Sequence, residues 1–152
     1  MKKIILALLL ILLLTGCNIA TPTPAPIVAS ADTEFTLAPN QIATLANTQL
    51  TIRLIGVGGD QRCPSEIECA ISGPVSVSLS AQIGDQAPTN IDLQAFTGDD
   101  GRAPDMQFQG IQDRAIYEGY LIRVVGVLPY PARSFNEIKD SAYRVSVLVT
   151  NP

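Results

Sequence analysis

The chain has 152 residues, 47% of them hydrophobic, 16% charged and 5% aromatic, with no Trp and no His, enough for one modest domain and too little for two full cores. Ten basic residues face fourteen acidic ones for a net charge of −4, and without a cluster of Lys or Arg in the folded part the chain cannot neutralise a run of nucleic-acid phosphates. The missing histidines also remove the commonest general base and the usual metal ligand together. The chain opens on Lys2 and Lys3, followed by an unbroken apolar run of eleven residues, Ile4 to Leu14. That is the layout of an export signal and falls short of the roughly 20 residues needed to span a bilayer. Residues 1–16 are therefore read as a signal peptide, whose loss leaves eight basic against fourteen acidic residues and a net charge of −6.

Leu14, Thr15, Gly16 and Cys17 close that segment and resemble the lipobox of bacterial lipoproteins: an aliphatic residue, two small residues and a cysteine. The resemblance implies cleavage between Gly16 and Cys17, with Cys17 as a new N-terminus carrying two or three acyl chains, diacylglycerol and palmitate among them. Two or more chains anchor stably where one holds only marginally, at about 0.8 kcal/mol per buried CH₂. The expected address is extracytoplasmic, on the cell membrane or the outer membrane, since Asn18 is not the aspartate associated with inner-membrane retention. With Cys17 lipidated, Cys63 and Cys69 remain as a pair in an oxidising compartment and are expected to form a disulfide. Two thiols without a histidine or a second pair make a poor zinc site, so no metal and no cofactor are expected.

From Asn18 to Thr33 the composition shifts to Thr, Pro and Ala, with Thr21, Pro22, Thr23, Pro24, Ala25 and Pro26 at its centre. Residues 17–33 are read as the lipidated cysteine and an extended tether, reaching up to about 50 Å at ~3.1 Å per residue. Residues 34–152 are read as one domain. Its patterning has period two almost throughout, which argues for strands. Short pieces are expected at Glu34–Leu37 and Ile42–Leu45, and alternation is clear at Leu50–Leu54, Val75–Ile83, Asn90–Ala95 and Tyr143–Thr150. Ala115–Leu128 reads as one long central strand with both faces apolar, bulged near Gly126. Ser65–Glu68 and Ser134–Glu137 have capping-box spacing and hint at single helical turns. About seven strands with one wet and one buried face make an all-β fold, an antiparallel two-sheet sandwich of immunoglobulin-like type, with a small β-barrel as the alternative.

Between the third and fourth of these strands stand Asp60, Gln61, Arg62, Cys63, Pro64, four residues, then Cys69, Ala70, Ile71, Ser72 and Gly73. This resembles the D-S-R-C-P-x₄-C-x-W-x-G signature of a group of small exported bacterial proteins of uncharacterised activity, many of them lipoproteins. Gln61 stands for Ser and Ile71 for Trp. The resemblance carries no catalytic residue across. On the residues alone, Asp60 and Arg62 have two readings: a ligand-facing acid and base on a cross-linked loop, or a turn cap and an internal ion pair. Together with Tyr130 they are the candidate binding residues.

Other constellations read weakly. Asp99, Asp100 and Asp105 offer oxygens for calcium but fail the twelve-residue loop spacing. Tyr117, Tyr120, Tyr130 and Tyr143 suit either a groove or half-buried strand packing. The single lysine after the leader, Lys139, does not stand at S-x-x-K spacing from Ser134 or Ser141, and Glu66, Glu68, Glu118 and Glu137 are the acids available for paired-carboxylate hydrolysis. The expected function is a membrane-anchored, non-enzymatic binding or structural module of the envelope. It contacts lipid through Cys17, and an envelope protein or glycan through the loops Gly56–Cys69 and Leu128–Asp140. The alternatives are a sandwich inhibitor of a hydrolase and a carboxylate-dependent hydrolase, which differ in what they need: protruding loops with an apolar tip, or two carboxylates converging in a concave pocket.

Overall fold

The computed structural model describes residues 22–135 and 137–151; Gly16 and Cys17 lie outside them. Nine strands run in the order β1 (Ile27–Ala29), β2 (Phe35–Leu37), β3 (Ile42–Leu45), β4 (Leu50–Asp60), β5 (Val75–Ile83), β6 (Thr89–Ala95), β7 (Arg114–Tyr117), β8 (Tyr120–Leu128) and β9 (Arg144–Thr150). They form a five-stranded sheet, β1-β3-β4-β5-β6, and a four-stranded sheet, β2-β9-β8-β7. The two sheets stay separate, so the fold is a sandwich and not a closed barrel. Alternation drives this: Leu50, Ile52 and Leu54, then Val75, Val77 and Leu79, then Ile91 and Leu93 face inward from one sheet. Ile122, Val124, Val145, Val147 and Val149 meet them from the other.

Four expectations change. Among the described residues the strands number nine, not about seven. One added strand lies inside the expected tether: Ile27–Ala29 pairs with β3 in parallel, Ile27 opposite Ala43 and Ala29 opposite Leu45, so the domain begins before Glu34. The other comes from Ala115–Leu128, which is a hairpin of β7 and β8. It turns at Glu118 and Gly119, both with positive φ, 49° and 85°, the requirement of a type I′ turn. The expected bulge is present as a register shift between Val124 and Gly126. The loop before β7 continues the sheet beside the second half of β8, through Ala103 N donating to Val125 O at 3.0 Å and Val127 N to Gly101 O at 2.8 Å. Finally, the described residues of the two capping-box segments are not helical. Pro64–Ile67 is a turn closed by Ile67 N to Pro64 O at 3.1 Å. The Glu137 carboxylate reaches back to the amides of Ala132 and Arg133 and is held below the usual carboxylate range by those hydrogen bonds, that of Ala132 above all.

Strand direction fixes the two ends of the sandwich. At one end, Leu128 lies opposite Arg144 and Asp60 opposite Val75. At the other, Leu50 lies opposite Ile83, Tyr117 opposite Tyr120 and Leu121 opposite Thr150. The disulfide loop and the Pro129–Asp140 loop share the first end.

Candidate functional site

Strand β4 carries Asp60 to the first end of the sandwich, past two register shifts in its Gly-rich half, and the chain then turns Arg62 back under its own carboxylate. Arg62 is fully buried, and Asp60 nearly so. A buried guanidinium is costly unless every N–H finds an acceptor, and here the geometry supplies them. Nε donates to Asp60 Oδ1 at 2.8 Å and Nη2 to Asp60 Oδ2 at 2.6 Å. Nη2 also donates to Pro129 O at 2.9 Å, and Nη1 to Val127 O at 2.7 Å and to Thr97 Oγ1 at 3.4 Å. The Tyr130 ring lies over the guanidinium, 4.9 Å from its centroid. From the start of β9, Tyr143 donates its hydroxyl to Asp60 Oδ2 at 3.1 Å. Burial, reinforced by the Asp60 charge and hydrogen bond, pushes the Tyr143 phenol up to about 12.

This arrangement corrects one of the two readings of the motif. Asp60 and Arg62 are turned into the protein and away from solvent. They form an internal clasp that ties the end of β4 to the end of β8, the loop after β6 and the start of β9. The face of Tyr130 is taken up in the same clasp. The chemistry available to a fully bonded pair is mechanical: it fixes the root of the disulfide loop.

Cys63 and Cys69 are bonded, with Cα atoms 6.0 Å apart, across a loop of seven residues. Cys63 N donates to Ser72 Oγ at 3.0 Å. Gly73 N donates to Gln61 O at 2.9 Å, an approach so close that a Cβ on Gly73 would stand 2.6 Å from Gln61 Cβ. The disulfide loop is then joined to the Pro129–Asp140 loop by Ser65 N to Pro131 O at 3.0 Å and Glu66 N to Ala132 O at 2.8 Å. The exposed Arg133–Glu66 pair at 3.4 Å adds little. Polar groups are thus spent on holding the two loops together, while Ile71 (84% exposed), Ile67 and Phe135 are left in water.

The remaining candidates do not converge. Asp100 accepts from Arg102 N at 2.9 Å, whereas Asp105 pairs with Arg123. Among the described residues, no three His, Cys, Asp or Glu gather at metal-binding distance. Glu118 sits in the turn at the far end, away from Glu66 and Glu137, and the tyrosines divide between the two ends. Three surface clefts stand out: about 530 Å³ along Gln107–Gln112, about 390 Å³ between Pro22–Pro24 and the Ala38–Asn40 and Asp140–Arg144 corners, and about 240 Å³ beside Arg114 and Arg123. None of the three brings two carboxylates together. A second charge cluster has no motif to announce it: Arg114 grips Asp113 with two 2.9 Å bonds, and Arg123 Nε lies 3.5 Å from the same carboxylate. Arg114 and Arg123 sit opposite one another in register, a pairing visible only once the β7–β8 hairpin is known.

Among known families, the prokaryotic membrane lipoprotein lipid attachment site matches residues 1–18, a segment whose one cysteine is Cys17. No curated protein and no solved structure matches the chain. The protein is a bacterial lipoprotein, extracytoplasmic and lipid-anchored to a membrane through its acylated cysteine.

Proposed function

We propose that this lipoprotein is a non-enzymatic binding or structural module of the envelope, and that it works through the platform made by the disulfide loop and the Pro129–Asp140 loop. One observation carries the reading: Asp60, Arg62 and Tyr143 are consumed in the internal clasp, while the joined loops hold the apolar Ile67, Ile71 and Phe135 outward among polar neighbours. A single exposed apolar residue is ordinary, but several presented together on rigid, joined loops are the kind of surface that marks a contact site. The same observation supports kinship with the small exported proteins whose signature the chain resembles, since Asp60, Arg62, Cys63, Pro64, Cys69 and Gly73 all serve this one loop architecture. Apolar loop tips also suit a hydrolase inhibitor, but the platform stands at the end from which the tether leaves, which disfavours reaching into another protein's cleft. The carboxylate-dependent hydrolase is disfavoured because none of the three clefts brings two carboxylates together.

Photo-crosslinking in living cells tests this. A benzophenone amino acid placed at Ile71 or Phe135 is expected to give adducts with an envelope component, and one placed at Gln86, in the far-end turn, is not. Adducts from Gln86 alone, or none from Ile71 and Phe135, would overturn it.

A further inference from the structure

We infer that the component met by Ile67, Ile71 and Phe135 is the headgroup surface of the bilayer that holds the lipid anchor, so that the domain stands on its clasp end. The inference rests on reading the loop platform as the contact surface, and it names the partner.

Reach fixes which end of the domain meets the lipid. Cys17 is the lipidated residue, and the chain meets the domain within a few residues of it. Pro22–Pro24 lie along the cleft beside Asp140, Ser141 and Arg144, Gln41 Nε2 donates to Ala25 O at 2.8 Å, and β1 is in the sheet by Ile27. From Cys17 to Pro22 there are five residue steps, which span no more than about 18 Å even fully extended. The sequence reading of a tether reaching about 50 Å is therefore corrected. The point of departure is the corner that opens β9, next to Tyr143 and its bond to Asp60. From there β9 alone runs six steps, about 20 Å, to the far end. Turning the far end onto the membrane would require the free chain to span the length of the sheet, and it is too short to do so. The end that carries the disulfide loop is held against the lipid at high effective concentration.

The surface presented there is suited to a shallow contact. Ile71 is 84% exposed, Phe135 48% and Ile67 42%, on loops fixed by the disulfide and the clasp and needing no rearrangement. The surrounding charges lean acidic, Glu66, Glu68, Glu137 and Asp140 against Arg133, Lys139 and Arg144, so the match is with zwitterionic headgroups entered by apolar tips and not with an anionic surface gripped by bases.

The absence of tryptophan allows a direct test on the full lipidated chain in proteoliposomes. Ile71→Trp restores the residue of the resembling signature and makes the only indole in the protein; Gln86→Trp does so at the far end. In vesicles of phosphatidylcholine doped with a headgroup-nitroxide lipid, the Trp at position 71 is expected to lose emission at least about twofold, as fits a side chain at headgroup depth, and the Trp at position 86 to be unchanged. Adding Ile67→Ser and Phe135→Ser to the Ile71→Trp chain is expected to relieve the quenching while the protein stays vesicle-bound, and replacing half the lipid by phosphatidylglycerol to weaken it. No quenching at position 71, or equal quenching at 71 and 86, overturns the inference. If the crosslinks at Ile71 and Phe135 then go to a protein or glycan, the platform remains the contact surface and only its partner changes.

Discussion

Arg62 shows how a residue type that reads as functional can be structural. Its five donors are matched by five acceptors from three separate stretches of chain, at Asp60, Thr97 and Val127–Pro129, and removing it would leave Asp60 buried with Tyr143 as its one remaining side-chain partner. Breaking a buried pair in this way costs about 3–5 kcal/mol. Arg62→Ala is expected to lower the urea midpoint accordingly at an unchanged slope. Arg62→Lys, which keeps the charge but not the planar fork, is expected to lie between; a midpoint within experimental error of wild type in the Ala chain would contradict the clasp. Tyr143 adds a pH signature. Below pH 10 both the folded and unfolded chains hold the phenol proton, and stability is flat in this group. Between pH 10 and about 12 only the unfolded chain gives it up, so stability falls by an amount on the order of 2 kcal/mol. The difference between wild type and Tyr143→Phe, followed by denaturant midpoint across that window, is expected to isolate the fall. The sequence offered both roles for Asp60 and Arg62 and could not choose, because the acceptors at Thr97, Val127 and Pro129 lie far along the chain.

At the scale of elements, legibility followed the clarity of alternation. Val75–Ile83 and Arg144–Thr150 each sort one buried and one wet row and stand close to where their pattern puts them. The β7–β8 hairpin was hidden because apolar residues run up to its two-residue turn from both sides, and Glu118 is not a residue that advertises positive φ. Glu118→Asn should relieve the left-handed backbone and raise the melting temperature, with a gain of up to about 1 kcal/mol, whereas Gly119→Ala should cost about 1–2 kcal/mol. Thermal unfolding of the two chains checks both signs. Strand β1 was hidden for a different reason: three residues after a Pro-rich stretch, with Val28 exposed, have no pattern to read, and only pairing with β3 makes them a strand. The capping-box hints failed because Ser and Glu at that spacing serve loop amides equally well when no apolar helical period follows.

For the molecule as a whole, the anchor and the disulfide act on different properties. Cys17→Ser is expected to move the protein from the membrane to the soluble fraction with its unfolding midpoint unchanged. Cys63→Ser is expected to leave it membrane-bound and lower stability by roughly 2 kcal/mol, the entropy of a seven-residue loop. Fractionation and denaturant titration of the pair separate address from fold. The parallel pairing of β1 with β3 bears on how such a molecule takes mechanical load. Tension drawn through the acyl chains meets the contacts of Pro22–Ala25 first and then pulls lengthwise on β1, so the three rungs from Ile27 to Ala29 carry it in shear before any core strand is stressed. If those rungs slip, the slack released lets the domain ride away from the lipid with its sheets intact. A strand of three residues is then a shock absorber between a moving surface and a rigid body.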